Sequence, residues 1–461
     1  MNRTIVIALI TVCSIGILTA FIKPLPFTEK PIPISPSVQR SGDSAKGYNY
    51  LLYGNFLKSG YPVSAFNWFV GKDKRNLLNR TGKAADIPFG FNIVQAENGT
   101  DIVIPTCLQC HAQEFEGKLY VGLGNATIDF TQIKAGGNFI QKAGTSLLKL
   151  LSPKQFEASK AITQSLVAIA PYLATETRGV NAADRLATLL VAHRNPETLE
   201  WQNQPLLSIP PEVVPTDVPA WWLLKKKNAM FYTGFGRGDF GKFLMLSNLL
   251  TVKDTVEAAE VNSHFGDVLA FIKSVQPPKF PHPINEKLAT QGEVIFTNNC
   301  SKCHGTYGPD GQYPNLLVPA SIIQTDSLLY QSNYQNPQFI DWFNKSWFAK
   351  GTEAAKLEPF NGYIAPPLDG IWITAPYLHN GSVPTLDALL NSKERPTYWI
   401  RDFENLTYDY EKIGWKFTTE KSAKAKGYNT ELKGYNNSGH YFGDKLTKEE
   451  RKALLEYLKT L

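Results

Sequence analysis

The chain has 461 residues, 47 Lys and Arg against 41 Asp and Glu for a formal net charge of +6, and is 43% hydrophobic and 12% aromatic. That length and apolar content suit two or three packed domains and exclude a disordered or low-complexity chain. So mild a positive balance carries no nucleic-acid footprint.

Met1-Asn2-Arg3 is a short basic start, and residues 4–22 carry no charge before Lys23 and Pro24. This reads as an export signal. The run is long for a signal core and nearly long enough to span a bilayer, so residues 1–22 are either a signal peptide or an N-terminal membrane anchor acting through residues 4–22. Either way the folded part is expected in the periplasm, soluble or tethered to the inner membrane. Residues 23–45 are rich in Pro and Ser and read as an extended tether.

From Gly47, Leu51, Leu52, Phe56 and Leu57 recur at helical spacing, while residues 68–103 are irregular with strand-like fragments. They lead into Cys107-Leu108-Gln109-Cys110-His111. Helical patterns return over 153–177 and 182–193, the second with Leu186, Leu189 and Leu190 in register and Asn181 placed to cap it. A Pro-rich loop, 205–219, precedes Trp221-Trp222 and a Gly-rich patch from Phe231 to Asp239. Residues 254–275 are helical in pattern, and the break from Gln276-Pro277-Pro278 to Pro283 marks a domain boundary.

Beyond it, a helix from Asn285 to Asn298 delivers the chain to Cys300-Ser301-Lys302-Cys303-His304. Near the end, Thr447-Lys448-Glu449-Glu450 is a capping box opening a helix that sets Leu454, Leu455, Leu458 and Leu461 on one stripe.

The two Cys-x-x-Cys-His stretches carry the chemistry. Two thiols one turn apart can add to the two vinyl groups of a haem, and the adjoining imidazole is directed under its iron. A shared zinc needs its Cys pairs close together, whereas these lie about 190 residues apart. A redox dithiol has no need of the following His. Five Cys are present, four of them in the motifs and the fifth, Cys13, in the apolar N-terminal run, so no structural disulfide is left to form and haem attachment accounts for the Cys content. Two covalently bound c-type haems follow, held by Cys107, Cys110 and His111 and by Cys300, Cys303 and His304.

Ala365-Pro366-Pro367-Leu368-Asp369-Gly370-Ile371-Trp372, followed by the run from Thr374 through His379 to Leu386, resembles the signature of the bacterial di-haem cytochrome c peroxidase superfamily. Gly122-Leu123-Gly124-Asn125, Cys303-His304-Gly305-Thr306-Tyr307-Gly308 and Ser438-Gly439-His440-Tyr441-Phe442-Gly443 look like its di-haem rubber-oxygenase branch. The resemblance covers nearly the whole exported chain. It implies a mainly α fold of two cytochrome c-like haem domains, 46–280 and 285–461, with long loops and a few short strands. It also implies that the first and last helices of the second domain cross.

Met1, Met230 and Met245 are the only methionines, so the second domain cannot supply the Met ligand of the peroxidases. The position where it would fall is held by Lys393 or a neighbour, and His440 and His379 are the local alternatives. By resemblance to the rubber oxygenases, His440 is the distal ligand and His379 stands behind it. For the first haem the candidates are His193, His264, His282, Met230, Met245, or no side chain, and we take the site as open. The superfamily's inter-haem Trp is replaced in its matching stretch by Tyr232, with Trp221 or Trp222 as other candidates for that relay. No Gln or Glu appears between Lys242 and Glu257, where the peroxidases carry theirs, which weighs against ordinary peroxidase chemistry. The expected function is electron transfer through a His/His haem to a second haem that meets hydrogen peroxide or dioxygen, fed by a small donor protein such as a cytochrome. The alternative is a pure electron carrier with both irons six-coordinate.

Overall fold

Helices Ser44–Tyr53 and Phe265–Ser274 cross at a glycine: a Cβ on Gly47 would lie 1.9 Å from the Asp267 carbonyl oxygen, so the backbones meet where no side chain fits. The first is capped by Asp43, whose carboxylate accepts from the Ala45 and Lys46 amides. Tyr48 stacks on Phe271 across the crossing, centroids 4.7 Å apart. This computed structural model describes residues 30–132 and 149–461. The signal or anchor read into residues 1–22 lies outside them. Among the described residues no helix is long and apolar enough to cross a membrane.

Residues 30–45, read as part of a tether, are docked on the body. Ile32–Pro33 pairs antiparallel with Leu316–Pro319, Ile34 is buried, and Arg40 reaches Asp239 at 2.6 Å. Alternating Ile and Pro suit an edge strand, where a missing N–H leaves no ladder bond unmade.

The chain is 38% helical and 14% strand, a mixed fold rather than a mainly α one. Its strands are two to five residues long and fall into six small sheets among the described residues. Several pair across long separations, which leaves little periodic signal in the sequence. Phe91–Gln95 and Asp101–Pro105 form a hairpin with Tyr61–Pro62 on the outer edge of the second strand. Ile102, Val103 and Ile104 are fully buried there, and the strand ends two residues before Cys107.

The helix expected over 153–177 runs Pro153–Ile169 and tightens into a 3₁₀ turn, Ala170–Tyr172, at Pro171, whose ring cannot continue the α ladder. Helix Ala183–Ala192 starts later than its pattern suggested. Ala182 takes the cap position, while Asn181 accepts from the Thr216 hydroxyl at 3.1 Å.

The Pro-rich break at 277–283 separates helices Phe265–Ser274 and Glu286–Asn299, yet packing crosses it in both directions. Phe343 stacks on Phe243 at 5.4 Å, and strand Gly236–Gly238 pairs with Ala355–Leu357. Conversely, Phe115 and Trp222 join the cluster of Trp372 and Leu454. Helix Glu286–Asn299 packs on helix Lys448–Leu458, and a Cβ on Gly292 would lie 2.0 Å from the Ala453 carbonyl oxygen. The capping box forms: the Glu450 amide donates to Thr447 Oγ1 at 3.2 Å and the Thr447 amide to Glu450 Oε2 at 2.7 Å.

Candidate functional site

Helix Glu286–Asn299 ends at Cys300, and a single turn, Ser301–His304, places Cys300, Cys303 and His304 on one wall of a cavity of about 230 Å³. His304 Nδ1 donates to the Pro366 carbonyl at 2.7 Å, which fixes the tautomer and leaves Nε2 with its lone pair free. His440 lines the same cavity, its ring centroid 6.1 Å from that of His304. Two imidazoles bound through metal–nitrogen bonds of about 2 Å on opposite faces of one ion have centroids about 6 Å apart. The pair therefore fits a haem iron.

Both imidazoles are kept neutral, as a ligand must be. Burial pushes His440 down to about 3, with the His304 and Arg395 neighbours adding to it, and burial likewise lowers His304 against the Pro366 bond. His440 Nδ1 is buried without a hydrogen-bond partner. The loop bearing it has little regular structure, and it is fixed by Arg395, which donates five hydrogen bonds to the carbonyls of Ala388, Leu389, Asn437, Gly439 and His440. The His440 amide adds one to Ile323 at 2.8 Å. Sequence reasoning missed Arg395, and nothing in its local pattern marks it. Lys393, considered for the Met position, is exposed and does not line this cavity.

His379 lines the same cavity without joining that pair. Its Nε2 meets the Tyr363 hydroxyl at 3.0 Å and its ring stacks on Tyr363 at 4.2 Å.

The first motif sits on the turn Leu108–His111 and faces a second cavity, of about 200 Å³, lined by Cys110 and His111. Cys107 is half-buried against the core beside it. Burial lowers His111 to about 4, offset by the Pro219 carbonyl, and Trp221 stacks on its ring at 5.0 Å and 23°. Apolar side chains dominate the remaining wall, among them Phe231, Phe235, Phe243, Phe339 and Phe343. Among the described residues no second His lines this cavity. His193 stacks on Trp201, His264 on Tyr50, and His282 packs on Tyr410, all elsewhere. Met245 is in the core, whereas Met230 lines the cavity.

The two cavities share a wall. Asp217, Val218, Pro219, Ala220, Leu223, Lys227 and Tyr232 line both. Within it Tyr232 donates to Asp217 Oδ2 at 3.2 Å, and the Asp217 amide donates to the His379 carbonyl at 2.7 Å. Burial pushes the Asp217 carboxyl up to about 8, against the Val218 and Tyr232 hydrogen bonds and the Arg401 charge, and pushes the Lys227 ammonium down to about 8. Of the aromatic residues singled out by sequence, Tyr232 stands in this wall and Trp221 lines the second cavity. Trp222 lines neither, its indole donating to the Asp369 carbonyl at 2.7 Å within the cluster of Trp372 and Leu454. Glu257, the first carboxylate after Lys242, also lines neither.

A family model described as RoxA-like, cytochrome c-like, matches residues 362–400. That stretch supplies Tyr363, Pro366 and His379 of the first cavity and the Arg395 clamp. Curated proteins similar to the chain include uncharacterized protein y4iM of Sinorhizobium fredii (strain NBRC 101917 / NGR234), 28% identical over 240 residues, which are 48% of this chain and 54% of that protein. Another is uncharacterized protein y4iJ of the same organism, 31% identical over 252 residues, 41% of each chain. The chain spans about half the length of the curated relatives it matches. The cytochrome c-like domain implies a covalently bound c-type haem and points to a c-type cytochrome oxidoreductase.

Proposed function

We propose that the chain is an exported, periplasmic di-haem c-type cytochrome oxidoreductase of two haem domains. Bound haem iron stores and passes electrons, and where its sixth position is open it takes peroxide or dioxygen. Cys300 and Cys303 would tether one haem, with His304 and His440 on its two faces closing the iron to other ligands. Cys107 and Cys110 would tether the other with His111 beneath it, and the phenylalanines of that cavity would exclude water. Electrons from a small donor protein such as a cytochrome would enter through the first and reach peroxide or dioxygen at the second. One observation carries this reading: two adjoining cavities are each lined by Cys and His of a Cys-x-x-Cys-His motif, and among the described residues only one of them has a further imidazole.

Electron paramagnetic resonance and optical spectra of the purified protein, with and without peroxide, cyanide and carbon monoxide, test it. One low-spin haem and one high-spin ferric haem that shifts with these ligands are expected. Two low-spin haems inert to all of them would sink the reading. That second outcome describes an electron carrier with both irons six-coordinate, and the presence of Met230 in the second cavity favours it.

A further inference from the structure

We infer that Lys227 is a counter-ion shared by the two haems, its ammonium bridging one propionate carboxylate from each across the wall between the cavities. This rests on the di-haem reading above. Lys227 lines both cavities, and among the described residues no other Lys or Arg lines either. Its Nζ donates to the Phe231 carbonyl at 3.3 Å, and among the described residues no carboxylate forms an ion pair with it. Asp217 is the one side-chain carboxyl of those walls, and it serves the Tyr232 hydroxyl instead, burial keeping its proton on up to about 8. A cation held in an apolar wall without an anion is costly. An ammonium has three donors. One meets Phe231, which leaves two for the two cavities that the residue faces, and carboxylate is the anion that a haem supplies.

The neighbouring residues fix this placement. Of three consecutive lysines, Lys225 reaches Gln276 at 2.9 Å and Lys226 reaches Asp369 at 2.8 Å, so each has a side-chain partner. Lys227 alone turns to the cavities. Asn315 pins the chain on either side of it, donating to the Lys226 carbonyl at 3.0 Å and accepting from the Asn228 amide at 2.6 Å. The Lys227 amide itself donates to the Leu224 carbonyl at 3.2 Å. With its base tied in this way, the ammonium stays at the wall instead of reaching for solvent, as lysine heads otherwise do. A cation so placed favours the reduced, more negative state of both haems.

The test uses holoprotein whose haem is isotope-labelled at the propionate carboxyl carbons. Infrared difference spectra are recorded across each haem's own redox step, with potentiometric titration, for wild type, Lys227→Met and Lys227→Gln. The Gln variant keeps a polar donor in the wall, and haem content and absorbance check that each variant has folded. The expected result is that the labelled carboxylate bands shift at both redox steps in both variants. Both potentials should also fall, lowering the reduced-to-oxidised ratio at fixed solution potential about tenfold, which is about 59 mV for a one-electron couple. Labelled bands matching wild type at either step overturn the bridge while leaving two haems in place, and so does a fall in one potential alone. A haem-to-protein ratio of one in wild type sinks the di-haem reading instead, and the bridge with it.

Discussion

His304 and His440 face one another across one cavity with ring centroids 6.1 Å apart and planes inclined by 57°. If they share an iron, His440→Ala opens one axial position. A new high-spin ferric signal and carbon monoxide binding in the reduced state are then expected at this haem. His440→Met should keep six-coordination and raise the potential, as Met/His ligation does. Unchanged spectra and potential in both variants would remove His440 from the iron.

Arg395 ties the His440 loop to Ala388 and Leu389, with three bonds to carbonyls of the loop and two to those of Ala388 and Leu389. Arg395→Ala leaves these acceptors without their donor, at an expected cost of about 3 kcal/mol or more. The same substitution should give a fraction of the high-spin signal of His440→Ala although no ligand is altered. Denaturant unfolding and low-temperature spectra read the two effects separately.

The two motifs predict separable loading. Cys107→Ala with Cys110→Ala, and Cys300→Ala with Cys303→Ala, should each lower the haem-to-protein ratio from two to one, read by pyridine haemochrome absorbance. A ratio of one in the wild type would refute the count.

Asp217 keeps its proton up to about 8 in the fold against an ordinary value of 3.8. Between those values the folded chain binds a proton that the unfolded chain has released, so stability is fully present below the window and is lost as pH rises through it. Asp217→Asn removes this slope and should be more stable than wild type at pH 8. Urea unfolding across pH 4 to 9 decides the matter, and parallel curves for the two proteins would contradict the shift.

At the crossing of helices Glu286–Asn299 and Lys448–Leu458, Gly292→Ala forces a methyl against the Ala453 carbonyl. An expected destabilisation of about 1–3 kcal/mol follows from overpacking. Thr447→Ala, which removes one half of the capping box, costs about 1 kcal/mol. The two should read as lower unfolding midpoints with unchanged haem spectra.

Much of the site was legible because its signals are local. Cysteine spacing, the following His, the Thr447–Glu450 box and the Pro break at 277–283 each lie within a few residues, where covalent geometry relates sequence to shape. The Arg395 clamp was not, since its five acceptors lie partly more than 40 residues away in a loop without periodicity. Trp222 was singled out beside Trp221 because adjacency in sequence does not say which indole faces a cavity. The sheet content was also underread, since strands such as Ile32–Pro33 find partners nearly 300 residues on.

By itself the sequence determined the two Cys-x-x-Cys-His turns and the imidazole that closes each, because those relations are held within five consecutive residues. Tertiary structure decided which histidine stands across from His304, that among the described residues the other cavity has no second histidine, and that Asp217 and Tyr232 stand in the wall between them. Those relations depend on how distant loops are packed together. No local spacing encodes them, because each is fixed by the burial and hydrogen bonding of chain segments that meet only when the fold is complete.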